Sequence, residues 1–164
     1  MASKYILKDV EDFEPNASIT RADFARYIVS AVGLDSYQND LTKNFTDVEK
    51  TRKSIYVAAE YGIVNGYKDG SFRPEQTITR EEAMTMYARA MDLVEYQGQE
   101  VKRLETFKDK EDVSSWAYKH VEKAVNGKLF NGRKEDELAP KGNLTYAESL
   151  KAIDNLLINA KLTN

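Results

Sequence analysis

Apolar residues recur at three- and four-residue spacing in three separate stretches of this chain. These are Phe24, Tyr27, Ile28, Ala31 and Val32, then Ala83, Met86, Tyr87, Ala90 and Val94, and last Ala152, Ile153, Leu156 and Leu157. That spacing is one buried stripe of an amphipathic helix, so each stretch predicts a helix that needs a partner. A threonine stands before each stripe: Thr20, Thr79 and Thr145. An acid follows three positions later in each case: Glu82 and Glu148 complete the capping-box pattern of a helix start, and Asp23 stands in place of the box Glu. Gly33 suits the stop of the first helix. Two shorter helices are predicted at about 51–61 and about 114–126, leading to Gly62 and Gly127.

The loops ahead of the long helices match as well. Phe13, Pro15 and Ile19-Thr20-Arg21 superimpose on Phe72, Pro74 and Ile78-Thr79-Arg80, fifty-nine positions later. A third copy follows after a further sixty-six, with Leu138-Ala139-Pro140 and Leu144-Thr145-Tyr146. Phe45-Thr46-Asp47 and Phe107-Lys108-Asp109 open the second and third copies, whereas nothing before Phe13 opens the first. The pattern divides the chain into 1–34 (the second half of a unit only), 45–94 and 107–161. Tyr5, Ile6, Leu7 and Val10 are expected to pack as Ile63 and Val64 do, and polar linkers fall at about 35–44 and 95–106. Three similar amphipathic helices bury their stripes most simply against one another, so the expected fold is all-α: a pseudo-threefold helical bundle of helix-loop-helix repeats with grooves between repeats.

Composition narrows the function classes. With 31% charged and 41% hydrophobic residues the chain reads as a globular protein, large enough to bury roughly 70% of its unfolded surface. The net charge of −3 comes from interleaved signs, which argues against a nucleic-acid partner. No apolar run approaches the roughly 18 residues of a spanning helix, so no membrane insertion is expected. Residues 1–15 lack a signal-peptide layout, and an export signal is expected outside this chain. Absent cysteine excludes disulfides and thiolate chemistry.

Taken together, F-x-D, W-A, G-I-x-x-G, D-G-x-F-x-P and I-T-R-x-E at a period near sixty resemble the S-layer homology (SLH) family. NGYKDGSFRPEQTITREEA in the second unit and FKDKEDVSSWAYKHVEKA in the third carry the resemblance. It implies a non-catalytic anchoring module that holds an exported or S-layer protein on the bacterial cell surface. The implied ligand is a secondary cell-wall polysaccharide, often bearing a pyruvate ketal on N-acetylmannosamine and bound in grooves between repeats. A covalently continuous cargo domain is expected outside the chain, and no cofactor is implied.

The candidate ligand-binding residues are Arg21, Arg80, Asp47, Asp109, Trp116, Gly66 and Gly132. Arg21 and Arg80 each fall one residue past a helix N-cap, where a guanidinium beside backbone N–H groups favours a carboxylate; alternatively they pair with Asp23, Glu81 or Glu82, or lie in solvent. Asp47 and Asp109 either bond sugar hydroxyls or form caps and turns. Trp116 either faces a sugar ring or packs in the core. Gly66 and Gly132 serve backbone geometry first, any ligand contact coming from their amides. Tyr146 replaces the arginine in the third copy, and Thr51 stands where the second copy lacks a tryptophan. No metal site is expected: Asn65 to Gly70 lacks the alternating acids of a calcium loop, and His120 has no second ligand nearby in sequence. No catalytic motif is present. The alternative function is a protein–protein assembly module of a surface complex, docking through Tyr5 or Tyr37.

Overall fold

The computed structural model describes residues 14–94 and 101–160. Phe13, Tyr5, Ile6, Leu7 and Val10, named above, lie outside the described residues. Among the described residues there are five α-helices and no strands: α1 (Arg21–Ala31), α2 (Lys53–Glu60), α3 (Arg80–Leu93), α4 (Tyr118–Asn126) and α5 (Tyr146–Asn159). Single 3-10 turns at Leu104–Thr106 and Lys110–Asp112 lead into α4.

Each long helix starts as its local sequence dictates. The hydroxyls of Thr20, Thr79 and Thr145 accept from the N–H groups of Asp23, Glu82 and Glu148 at 3.2, 3.3 and 3.2 Å. Glu82 and Glu148 reach back to the N–H of Thr79 and Thr145 at 2.8 and 2.9 Å, closing two boxes. A cap of this kind is worth about 1 kcal/mol. Gly33 follows α1 at φ 76°, as the stop requires. After the shorter helices the left-handed position is held by Gly62 at φ 69° and by Lys128 at φ 59°; Gly127 is instead the C-cap of α4 at φ −72°. The glycine expected to end α4 therefore sits one residue early.

The segments just before the long helices form a closed cycle. Ile19 N donates to Leu144 O (2.9 Å), Leu144 N to Ile78 O (2.9 Å), and Ile78 N to Ile19 O (3.2 Å). The first turns extend it: Arg21 and Ala22 donate to Gln76 O and Pro74 O, Arg80 and Glu81 to Gly142 O and Pro140 O, and Tyr146 and Ala147 to Ala17 O and Pro15 O. Two orphan donors of each helix are thus satisfied by another copy's loop. Below this ring α1 packs on α2 and α3 on α4, while α1 also touches α3 and α5. Tyr87 lies between the copies, edge-on to Phe24 (5.2 Å) and to Phe130 (5.1 Å), its hydroxyl donating to Ser149 O at 3.1 Å. Burial of side chains of this size contributes about 1.5–3 kcal/mol each.

Candidate functional site

The loops that feed the long helices are built by residues distant in sequence. Asp47 accepts from Phe72 N and Arg73 N, both at 2.8 Å, and Asp109 accepts from Leu138 N and Ala139 N at 2.8 and 2.7 Å. Arg73 and Ala139 both adopt left-handed φ, 59° and 52°, a strain of about 1–2 kcal/mol that the carboxylate offsets. Burial pushes the Asp47 carboxyl up, but the two N–H groups outweigh it and hold it below its ordinary value. Both aspartates therefore make turns; neither caps the helix that follows, whose N-caps Arg52 and Ala117 receive no side-chain bond. Gly66 and Gly132 are needed for close approach rather than for positive φ. A Cβ on Gly66 would lie 2.7 Å from the Phe45 ring, and one on Gly132 would lie 2.4 Å from the Phe107 ring and 2.2 Å from Lys134 O.

Against this frame the helix-start residues link the copies in sequence. Arg21 is 4% exposed, and its Nε donates to Phe72 O (2.9 Å), its Nη2 to Asn65 O (3.3 Å), while Nη1 faces Glu82 at 3.7 Å. Its guanidinium also lies over the rings of Tyr67 and Phe72, at 4.9 and 4.7 Å. Arg80, 2% exposed, repeats the arrangement one copy later: Nε to Leu138 O (2.8 Å), Nη2 to Asn131 O (2.8 Å), Nη1 to Glu148 (3.0 Å). Tyr146 closes the circuit, its hydroxyl donating to Asp23 at 2.5 Å. The partner is each time the N3 acid of the following copy, not an acid of the arginine's own helix. The backbone N–H groups beside both arginines are already donated to the neighbouring loop, so the helix starts hold no free anion site.

Two cavities open over the arginines. One, of about 260 Å³, is lined by Arg21, Asn65, Tyr67, Glu82, Thr85, Met86, Arg89 and Trp116. The other, of about 340 Å³, is lined by Arg80, Asn131, Gly132, Arg133, Glu148, Lys151 and Asn155 among others. Both are near the volume of small-ligand clefts. Trp116 is 58% exposed and stands at the first cavity, which excludes the core-packing alternative. Burial pushes Glu148 up, but hydrogen bonds from Arg133 and Thr145 N and the charge of Arg80 hold it below its ordinary value. Burial pushes Arg80 down, opposed by Glu148. The structure thus brings Arg21 and Trp116 to one cavity and Arg80 and Gly132 to the other, while Asp47 and Asp109 line neither. Tyr37, half-buried, packs edge-on against Tyr61 at 5.5 Å, and Tyr5 lies outside the described residues. Sequence reasoning missed Arg89, Arg133 and the acids Glu82 and Glu148 as groove residues. For the two acids the available signal was their fixed third place in each long helix; the arginines carried none, since Asn155 and Tyr67 stand at the matching positions.

Matching helical units among the described residues, tied head to tail and cleft at two of the ties, make this a tandem-repeat helical protein. The S-layer homology domain pattern matches residues 44–84 and 106–148, together just over half the chain. The chain belongs to the S-layer homology domain family. It is 33% identical over 96% of its length to an amylopullulanase of Thermoanaerobacterium thermosulfurigenes, spanning 8% of that protein. It is 31% identical over 88% of its length to a cellulosome-anchoring protein of Acetivibrio thermocellus, spanning 33% of that protein. A surface layer protein of Brevibacillus choshinensis is 39% identical over 49% of the chain, which spans 8% of it. The chain thus covers at most a third of these relatives. Among the described residues no helix is long and apolar enough to cross a membrane.

Proposed function

We propose that this chain is a cell-surface anchoring module that holds a larger exported protein on a bacterial wall by binding an acidic wall polysaccharide, of the pyruvylated kind, in the grooves between its copies. The copies at 1–34, 45–94 and 107–161 form a pseudo-threefold bundle, a reading supported by the closed hydrogen-bond cycle through Ile19, Ile78 and Leu144. The observation that carries the functional reading is the recurrence of one cleft at two junctions, each floored by a buried arginine and open to solvent. Arg21 and Arg80 act there as fixed positive charges beneath the ligand. Asp47, Asp109, Gly66 and Gly132 hold the loops that form the walls, and Trp116 offers an apolar face to a sugar ring. The anchoring role accords with the surface-layer and cellulosome-anchoring relatives. Attachment needs binding and no catalysis.

Sedimentation with purified cell-wall sacculi tests the reading. Binding to intact sacculi and loss of binding after hydrofluoric-acid removal of the polysaccharide are expected. Retention on stripped sacculi would instead indicate a protein or peptidoglycan partner.

A further inference from the structure

The two clefts differ in one respect that the repeat does not predict. In the Arg80 cleft both guanidinium groups touch one shared carboxylate. Glu148 faces Arg80 at 3.0 Å and accepts from Arg133 Nε and Nη2, each at 3.1 Å, and Lys151 lies 4.0 Å from Asp154. In the Arg21 cleft, Glu82 faces Arg21, but the cleft holds a second guanidinium, Arg89, on the middle of α3. Arg89 is half-buried, its one hydrogen bond among the described residues is a long 3.4 Å contact from Nη1 to Ile63 O, and no described carboxylate pairs with it. Burial pushes its pKa down with no opposing acid, unlike that of Arg80. The same position is Asn155 in the Arg80 cleft, donating to Leu129 O at 3.1 Å, and Ser30 in α1, donating to Asp35. A partly desolvated guanidinium that touches no acid favours an incoming carboxylate.

We infer that Arg89, and not the helix-start arginine Arg21, is the group that recognises the acidic substituent of the sugar, while Trp116 across the same cleft takes the ring. This inference rests on the polysaccharide reading above and narrows it to the Arg21 cleft, where the second guanidinium touches no described carboxylate. Arg21 has its three nitrogens engaged and its guanidinium plane set against the rings of Tyr67 and Phe72, so it sets the shape of the floor.

Two soluble probes separate the roles: the methyl glycoside of N-acetylmannosamine with a 4,6-pyruvate ketal, and the same glycoside without it, titrated calorimetrically into the full chain. The wild-type chain is expected to prefer the ketal. Arg89→Gln should reduce affinity for the ketal by about 10- to 100-fold, the loss of one charge-assisted bond, leave the neutral glycoside unchanged, and leave the melting temperature nearly as it was. Arg89→Lys should recover part of the preference. Trp116→Ala should weaken both probes by a similar factor. Ketal preference undiminished in Arg89→Gln, or equal loss of both probes, overturns the role of Arg89 while leaving the polysaccharide reading intact. A wild-type chain that binds neither probe and stays on stripped sacculi overturns both.

Discussion

Two of the ties between copies are made differently, and the contrast separates closure from charge. At the Arg80 junction a buried guanidinium spends its donors on Leu138 O, Asn131 O and Glu148. At the Tyr146 junction one phenol hydroxyl reaches Asp23 at 2.5 Å, and the ring rests edge-on to Tyr27 at 6.3 Å. Both bridge the same two positions, the first residue of one long helix and the third of the next. Joining the copies therefore requires a donor of sufficient reach; a positive charge is an addition made at two junctions only.

The strongest way to break this contrast is Arg80→Ala. Removing one partner of a buried pair and two carbonyl ties should cost about 3–5 kcal/mol, read as the urea midpoint. A cost near that of an ordinary surface change would mean that Arg133 alone satisfies Glu148. Next is Gly132→Ala, whose Cβ would meet Lys134 O and the Phe107 ring; overpacking of this kind costs about 1–3 kcal/mol. Gly66→Ala, with wider clearances of 2.7 and 2.9 Å, should cost less. Tyr146→Phe should cost about 1 kcal/mol, since Asp23 keeps its bond from Arg26 at 3.4 Å. Smallest is Ser149→Ala. The Ser149 hydroxyl is fully buried and finds no partner among the described residues, and the matching positions are Phe24 and Ala83, so stability should rise by a few tenths to about 1 kcal/mol.

The pH profile sharpens the same comparison without changing the core. Glu148 has a folded value below its ordinary 4.5, so the stability it contributes is complete above 4.5 and is lost as pH falls through the folded value. Tyr146 is raised above its ordinary 10.0 by burial first and then by Asp23. Its contribution is complete below 10.0 and fades as pH rises from there toward the folded value. One tie thus weakens in acid and the other in alkali. Melting temperatures across pH should show the acid limb flattened in Glu148→Gln and the alkaline limb flattened in Tyr146→Phe; identical limbs in both variants would dissolve the distinction.

What the sequence discloses here is what local chemistry decides. The helix starts follow from Thr79 and Glu82, or Thr145 and Glu148, because a capping box is closed within four residues. The stripe residues Phe24, Ile28, Ala83 and Tyr87 are buried as the periodicity requires. Glu82 was legible as a partner for an arginine, but that the arginine is Arg21 of another copy was not, nor was Glu148 as the partner of Arg80, because both acids read as capping acids of their own helices. Asp47 was ambiguous for a related reason: the N–H groups it accepts belong to Phe72 and Arg73, beyond the reach of any local rule. Arg89 sits between Met86 and Ala90 on an otherwise apolar turn and attracts no notice until the cleft is seen.

The ring of Ile19, Leu144 and Ile78 bears on how the molecule would fail under tension. Since every long-helix start is bonded to a segment of another copy, pulling on one helix also loads the bonds that hold its neighbours. Rupture should come as one event at a force well above that needed to unravel any isolated helical hairpin.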